Sequence, residues 1–381
     1  MNRTYQLNRI VRAALAFVVF YVGQANAAPF SNLIVFGDSL SDVGNISYAS
    51  FGTNPGRYYS NGRFSNGPIY AESLATGLGL PVLTRSTAGG NDYAFGGAQT
   101  TGTKGGQGLF INDVDEQVTK YLSTHNGVAD TLYDVFAGAN DLFNGQTNVS
   151  VPITSLQTSI NRLISSGARQ FLVFNLPPLG DTPKYNGNAS TIVQYNALSQ
   201  QFNAGLGTML DGLQSANPQI KIYRFDMFGL FEQVLANPAG FDLTNVTSSA
   251  APGLTTGTTS YDTSREVSNP NQYLFWDDVH PTTAVHAILA QRVLDLFRLP
   301  GDFNGDGVVD GGDYILWREG QSPSRIPDDY NVWRTHFGQV AVGGASLGGS
   351  DSSGSVPEPA AVALCILAVV FSACRRVRHA G

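Results

Sequence analysis

Leu33-Ile34-Val35-Phe36-Gly37-Asp38-Ser39 is a four-residue apolar run that stops on a glycine, an aspartate and a serine. An unbroken apolar run of that length suits a strand buried on both faces. Three further runs read the same way. Leu132 to Phe136 stops at Gly138-Ala139-Asn140-Asp141, Phe171 to Phe174 stops at Asn175-Leu176-Pro177-Pro178, and Ile222 to Phe225 is the fourth. Between them, apolar residues recur at helical spacing: Ile111, Val114, Val118 and Leu122; Ile153, Leu156, Ile160, Leu163 and Ile164, with Gly167 as C-cap; and Leu198, Phe202, Leu206 and Leu213. Val285, Ile288, Leu289 and Leu296 give a last helix beginning just after Pro281. Alternating strands and helices predict an α/β fold, a parallel sheet with helices on both faces. In such sheets ligands bind beyond the carboxyl ends of the strands, which is where the polar clusters fall.

Ser39 is a candidate nucleophile because a serine just after a buried strand can present its hydroxyl above the sheet edge. A serine there is also an ordinary helix cap. Trp276-Asp277-Asp278-Val279-His280-Pro281 supplies the base that a serine needs. An Asp three residues before a His can orient the imidazole and stabilise its cation. The same Asp-x-x-His pair also reads as half of a metal site or as decoration of a helix start, and Asp278 competes with Asp277. Acyl transfer further requires donors for an oxyanion. Asp92-Tyr93-Ala94-Phe95-Gly96-Gly97-Ala98 offers a backbone N–H that can be closely approached, and Asn140 offers a side-chain amide. His125, His286, His336 and His379 read as surface or structural.

These four blocks, in this order, resemble the GDSL lipase/esterase family, also called SGNH hydrolases. The resemblance runs from about Phe30 to Pro300, and Asn61-Gly62-Arg63-Phe64-Ser65-Asn66-Gly67 is similar to a segment of its lipase-like branch. It implies a flavodoxin-like three-layer α/β/α fold. It makes Ser39 the nucleophile and first oxyanion donor, Gly97 and Asn140 the other donors, His280 the general base and Asp277 its orienter, with no cofactor for catalysis. Asp92 departs from the Asn common in the second block. The family spans lipases, phospholipases, arylesterases and carbohydrate acetylesterases. The substrate is therefore a carboxylic ester or, alternatively, an acetylated polysaccharide. A non-catalytic calcium-dependent adhesion or scaffold protein is the reading from another class.

The flanks carry their own signals. Arg3, Arg9 and Arg12, the apolar Ala13 to Val22 and the small-x-small Ala25-Asn26-Ala27 predict a secretory signal peptide over 1–27, with an N-terminal anchor as the plainer alternative. Both cysteines, Cys365 and Cys374, lie in the last twenty residues, so the region 28–300 has neither disulfide nor thiol nucleophile. A formal charge of −7 disfavours nucleic-acid partners.

From Gly301 the composition changes. Asp302, Asn304, Asp306, Asp310 and Asp313 fall at positions 1, 3, 5, 9 and 12 of an EF-hand-like loop, with Val308 offering its carbonyl and Gly307 at the turn. An Asp at the last position resembles the calcium loops of type I dockerins. Asp313-Tyr314-Ile315-Leu316-Trp317-Arg318 is echoed by Asp329-Tyr330-Asn331-Val332-Trp333-Arg334 without a second complete loop, so a small helical module over 301–340 with one Ca2+ is expected. An acidic Gly-rich turn is the alternative. A Gly/Ser linker spans 341–355. Val356-Pro357-Glu358-Pro359, an apolar run and Arg375-Arg376 resemble a PEP-CTERM sorting signal over 356–381, which implies membrane attachment before cleavage by an exosortase-type enzyme. A plain membrane anchor is the alternative, and both place the catalytic region outside the cytoplasm.

Overall fold

The computed structural model describes residues 30–102, 110–320, 322 and 329–340. The segments read as a signal peptide (1–27), a linker (341–355) and a sorting signal (356–381), together with both cysteines, lie outside the described residues. No helix among the described residues is long and apolar enough to cross a membrane. The chain divides into two compact units, one of them Ala27–Arg298 and the other including the residues from Leu299 onward.

In the first unit, β1 (Asn32–Gly37), β2 (Thr131–Phe136), β3 (Gln170–Phe174) and β4 (Lys221–Phe225) form a parallel sheet in the order β1-β2-β3-β4. All four apolar runs are strands. The segment around Asp92 runs along the free edge of β1, with Val35 N–H on the Asn91 carbonyl and Tyr93 N–H on the Val35 carbonyl. The helices are α1 (Asn45–Ala49), α2 (Tyr70–Gly77), α3 (Val114–Leu122), α4 (Ala139–Phe143), α5 (Ser150–Ser166), α6 (Ala189–Ala216), α7 (Met227–Ala236) and α8 (Thr283–Asp295). A short parallel pair, β5 (Asn245–Ser249) and β6 (Tyr273–Phe275), precedes α8.

Strand alternation explains the three layers. Asp134 and Phe136 of β2 point to one face, where both meet Tyr70 of α2. Tyr133 points to the other, where it meets Tyr121 of α3. Helix α8 packs on α2, while α5 joins α3 and α6 on the opposite side. Phe36, Phe136, Phe171, Phe174 and Phe202 are fully buried between the layers. Burial of each contributes roughly 1.5–3 kcal/mol.

Two helix boundaries show local rules at work. Gly167 ends α5 at φ 121°, a conformation that side chains avoid. Helix α3 begins after Asp113, later than the Ile111 periodicity suggests, because Asp113 and Glu116 form a capping box.

Candidate active site

The turn after β1 is held from several sides. A Cβ on Gly37 would sit 2.5 Å from the Phe136 carbonyl oxygen, so only glycine lets β1 approach β2 there. The buried Gln117 amide takes both backbone groups of Gly37, accepting from its N–H at 2.9 Å and donating to its carbonyl at 2.8 Å. The Asp38 carbonyl then accepts from Ser41 and Asp42 N–H, both at 3.1 Å. Asp42 is wholly buried and accepts from Gly44, Ile46 and Gly96 N–H, tying the first sequence block to the second. Burial pushes its carboxyl up to about 6 against those hydrogen bonds, and pushes Asp38 up to about 7. Ser39 emerges from this frame 9% exposed, at the wall of a cavity of about 360 Å3.

His280 is carried by the loop between β6 and α8. Trp276 N–H donates to the His280 carbonyl at 2.7 Å, which closes the loop tightly. His280 Nε2 lies 2.9 Å from Ser39 Oγ, and Nδ1 lies 2.7 Å from Asp277 Oδ2. Asp277 Oδ1 accepts from the Val279 and His280 N–H groups at 2.9 and 2.7 Å. Burial opposes the Asp277 charge, but the His280 charge and these hydrogen bonds outweigh it and hold the carboxyl below its usual range. Burial likewise lowers His280, yet Asp277 more than reverses that and raises the imidazole above the ordinary histidine value. The adjacent Asp278 does not reach the imidazole. It lines the cavity, where burial and the Asp277 charge raise it. The Asp-x-x-His pair thus meets itself and Ser39.

Gly97 and Asn140 line the same cavity. Gly96 donates its N–H inward to Asp42 at 2.8 Å, whereas Gly97, at φ 82°, has no acceptor among the described residues. Asn140 sits at the start of α4, just past the end of β2, and spends one amide hydrogen on the Ala98 carbonyl at 2.9 Å. An amide NH2 has a second hydrogen to offer. Thr100 fixes the neighbouring Asp141 through its N–H and hydroxyl. The apolar wall of the cavity comes from Leu40, Phe136, Phe143, Leu179, Phe231 and Phe275.

The family profile described as GDSL-like Lipase/Acylhydrolase matches residues 33–293. The chain belongs to this family. It is a hydrolase acting on esters. This GDSL hydrolase is similar to a phosphatidylcholine-sterol acyltransferase of Aeromonas hydrophila, 26% identical over 320 residues, covering 73% of this chain and 93% of that protein. It is similar to a GDSL esterase/lipase of Arabidopsis thaliana, 28% identical over 338 residues, covering 74% and 92% respectively. A solved member of the lipolytic G-D-S-L family from Veillonella parvula is 15% identical with a TM-score of 0.38, covering 70% of this chain and 98% of that one.

Two residues of the GDSL site, Tyr59 and Gln117, carry no signal in the sequence, and a third, Phe64, lies in a segment that the family resemblance singled out without a role. Tyr59, 5% exposed, donates its hydroxyl to Asp277 Oδ2 at 2.6 Å. Nothing in a single sequence separates it from Tyr58 beside it. Phe64 lies against the His280 ring at 5.0 Å, and Gly96 makes room for it, since a Cβ there would meet the Phe64 ring at 2.1 Å. Gln117 is a buried polar residue on α3, among the apolar positions Val114, Val118 and Tyr121. The departure at Asp92 becomes a buried carboxyl that accepts from Val43 and Ala94 N–H, with burial raising it well above its usual range. His286 is also buried. It stacks on Tyr70 and accepts its N–H at 3.2 Å, and burial, with the His280 charge, pushes it down to about 3, a structural histidine.

The second unit contains α9 (Gly311–Arg318) and α10 (Asp329–His336). Asp302 accepts from Gly305 and Gly307 N–H, Asp313 from Phe303, Asn304 and Asp310 N–H, and Asp310 from Gly312 N–H. The Asn304 amide donates to Asp306, and Val308 N–H does the same. Burial raises Asp302, and the Asp313 and Asp306 charges add to it. Among the described residues no three His, Cys, Asp or Glu side chains converge as a metal ion would gather them. The oxygen-rich donor set still suits a hard cation. Trp317 and Trp333 do not stack on each other. Tyr314 and Tyr330 stand between them, with ring centroids 4.8–5.8 Å from the two indoles.

Proposed function

We propose that this protein is an exported serine esterase working through an acyl-enzyme on Ser39. The observation that carries it is the unbroken hydrogen-bonded chain from Ser39 through His280 to Asp277 at the wall of one cavity. His280 Nε2 takes the Ser39 proton as Oγ attacks the ester carbonyl carbon. The oxyanion that forms is met by the N–H groups of Ser39 and Gly97 and by the Asn140 amide. As the ester C–O bond breaks, His280 returns the proton to the leaving alkoxide. Water then repeats the cycle against the acyl group, releasing a carboxylic acid and restoring Ser39. Asp277 keeps its charge throughout and holds the imidazole with Nε2 toward Ser39.

The apolar wall favours a lipid acyl ester over a carbohydrate acetate, in keeping with the phosphatidylcholine-acting relative. A parallel assay of aryl acetates, long-chain acyl esters, phospholipids and acetylated xylan tests this. The reading expects acyl-chain esters to be turned over with the highest kcat/KM. Preference for acetylated xylan would replace it with the deacetylase reading.

Export rests on the basic, apolar and small-x-small pattern of 1–27. For the C-terminal module we infer one structural Ca2+ held by Asp302, Asn304, Asp306, Asp310, Asp313 and the Val308 carbonyl, with no part in the chemistry. The segment 356–381 is read as a sorting signal processed by an exosortase-type enzyme.

A further inference from the structure

The segment between α1 and α2 is fastened along the histidine loop at several points. Ser65 Oγ donates to the Pro281 carbonyl at 2.9 Å. Asn66 Oδ1 accepts from Thr283 N–H, the first residue of α8, at 2.8 Å. Thr283 Oγ1 donates back to the Pro68 carbonyl at 2.7 Å. Phe64 covers the imidazole face, and its ring lies 6.1 Å from that of Tyr59. Tyr59 itself is anchored in an apolar cluster with Trp276, Ala250, Ala251 and Leu254.

An ionised carboxylate offers about four acceptor sites. In Asp277, Oδ1 holds the two backbone N–H groups of Val279 and His280, and Oδ2 holds His280 Nδ1 and the Tyr59 hydroxyl. Every site is filled, in a residue with no solvent exposure. Only the phenol comes from outside the loop, and it shares its oxygen with the catalytic imidazole.

We propose that Tyr59 is a positioning residue of the catalytic machinery, sharing Asp277 Oδ2 with His280 and thereby setting both the aim and the basicity of the imidazole. The inference rests on the serine-esterase reading of Ser39, His280 and Asp277. Two donors on one oxygen weaken each other. With the phenol in place Asp277 pulls less on the imidazolium proton, and His280 stays a free base to lower pH. Without it, Oδ2 becomes a stronger acceptor for Nδ1–H, the imidazolium is stabilised, and the carboxylate is free to rock out of line.

The test compares Tyr59→Phe with the unaltered protein on a soluble aryl ester across pH, alongside labelling by a fluorophosphonate. The titratable and charged groups facing His280 are Asp277 and Asp278 on its own loop, Asp38 on the β1 turn and His286 on α8, with Lys184 beside Asp278, and all stay in place. Tyr59→Phe is expected to lower kcat roughly tenfold, the size of one hydrogen bond to a charged group, with KM little changed. The acid limb of kcat/KM should move to higher pH. Installing 3,5-difluorotyrosine at position 59, a more acidic phenol of nearly the same shape, should move it to lower pH, so the result does not depend on the Phe variant folding. An acid limb unmoved by either replacement overturns the role of Tyr59, even if thermal stability drops. Fluorophosphonate attaching elsewhere than Ser39 in the unaltered protein would instead overturn the reading beneath it.

Discussion

Asp277 and Asp313 are both wholly buried aspartates, and they are kept in different company. Asp277 accepts from two backbone N–H groups, a phenol and an imidazole that can carry a full positive charge. Asp313 accepts only from the backbone N–H groups of Phe303, Asn304 and Asp310, with Asp302 and Asp306 close by in the same short loop. The first carboxylate has its counter-charge built into the protein. The second sits among like charges, and its own hydrogen-bond partners among the described residues are backbone N–H groups. Satisfied hydrogen bonds therefore do not by themselves define a role. What matters is whether the local charge is closed from within, as at Asp277, or left among like charges, as in the loop, where the proposed Ca2+ would close it.

The largest effect expected on the catalytic side is from His280→Ala. It removes the internal counter-charge and the base together, and turnover should fall on the order of 10,000-fold or more, as for residues acting as one unit. Asp277→Asn should lose less or about as much, and Asp278→Asn far less, because only Asp277 touches the imidazole. Steady-state kinetics on an aryl ester separate the three, and a greater loss at Asp278 would break the assignment. In the unaltered protein, activity should fall as pH drops through a His280 value held above that of ordinary histidine, since a protonated imidazole cannot accept the Ser39 proton.

Asn140→Ala should come next, lowering kcat roughly 100- to 1000-fold, the usual loss for one oxyanion donor. Its side chain also holds the Ala98 carbonyl, so a thermal melt should accompany the kinetics to separate a lost donor from a shifted loop. An unchanged kcat would remove Asn140 from the site.

The smallest effect on catalysis, and the one that sharpens the contrast most, is chelation. Calcium removal should leave aryl-ester turnover unchanged while altering the fluorescence of Trp317 and Trp333, whose rings share a cluster with Tyr314 and Tyr330 in the loop's own unit. The Trp333 indole also donates to the Asp310 carbonyl at 2.7 Å, linking the loop to the fluorophore. Calorimetric titration that shows no calcium binding, or two equivalent sites, would dissolve the contrast.

How much of this was legible in the sequence follows from how each feature is encoded. The four sheet strands were readable because strands buried on both faces are unbroken apolar runs. Helix α2 was missed because Tyr70-Ala71-Glu72-Ser73-Leu74-Ala75 is too short to establish a period, and the edge segment at Asp92 because it makes only two isolated bridges, to Val35 and Arg85. Ser39, Asp277 and His280 stood out because nucleophile, base and orienter require particular residue types after particular elements. Tyr59 did not, since it reaches Asp277 across 218 residues of sequence from a loop with no regular structure. That Gly96 turns its N–H inward to Asp42 while Gly97 lines the cavity depends on hydrogen-bond directions that no spacing encodes. The Trp317 and Trp333 repeat was visible, but the tyrosines between them follow from the relative placement of α9 and α10, which the repeat alone does not specify.

The central claim is that Ser39 carries the acyl group. Its most direct test is to quench the protein with acid during turnover of an aryl ester and map the acyl mass by peptide mass spectrometry. The account predicts the acyl group on the peptide containing Ser39, and its disappearance in Ser39→Ala together with turnover. An acyl adduct on another residue, or near-full turnover by Ser39→Ala, would contradict it.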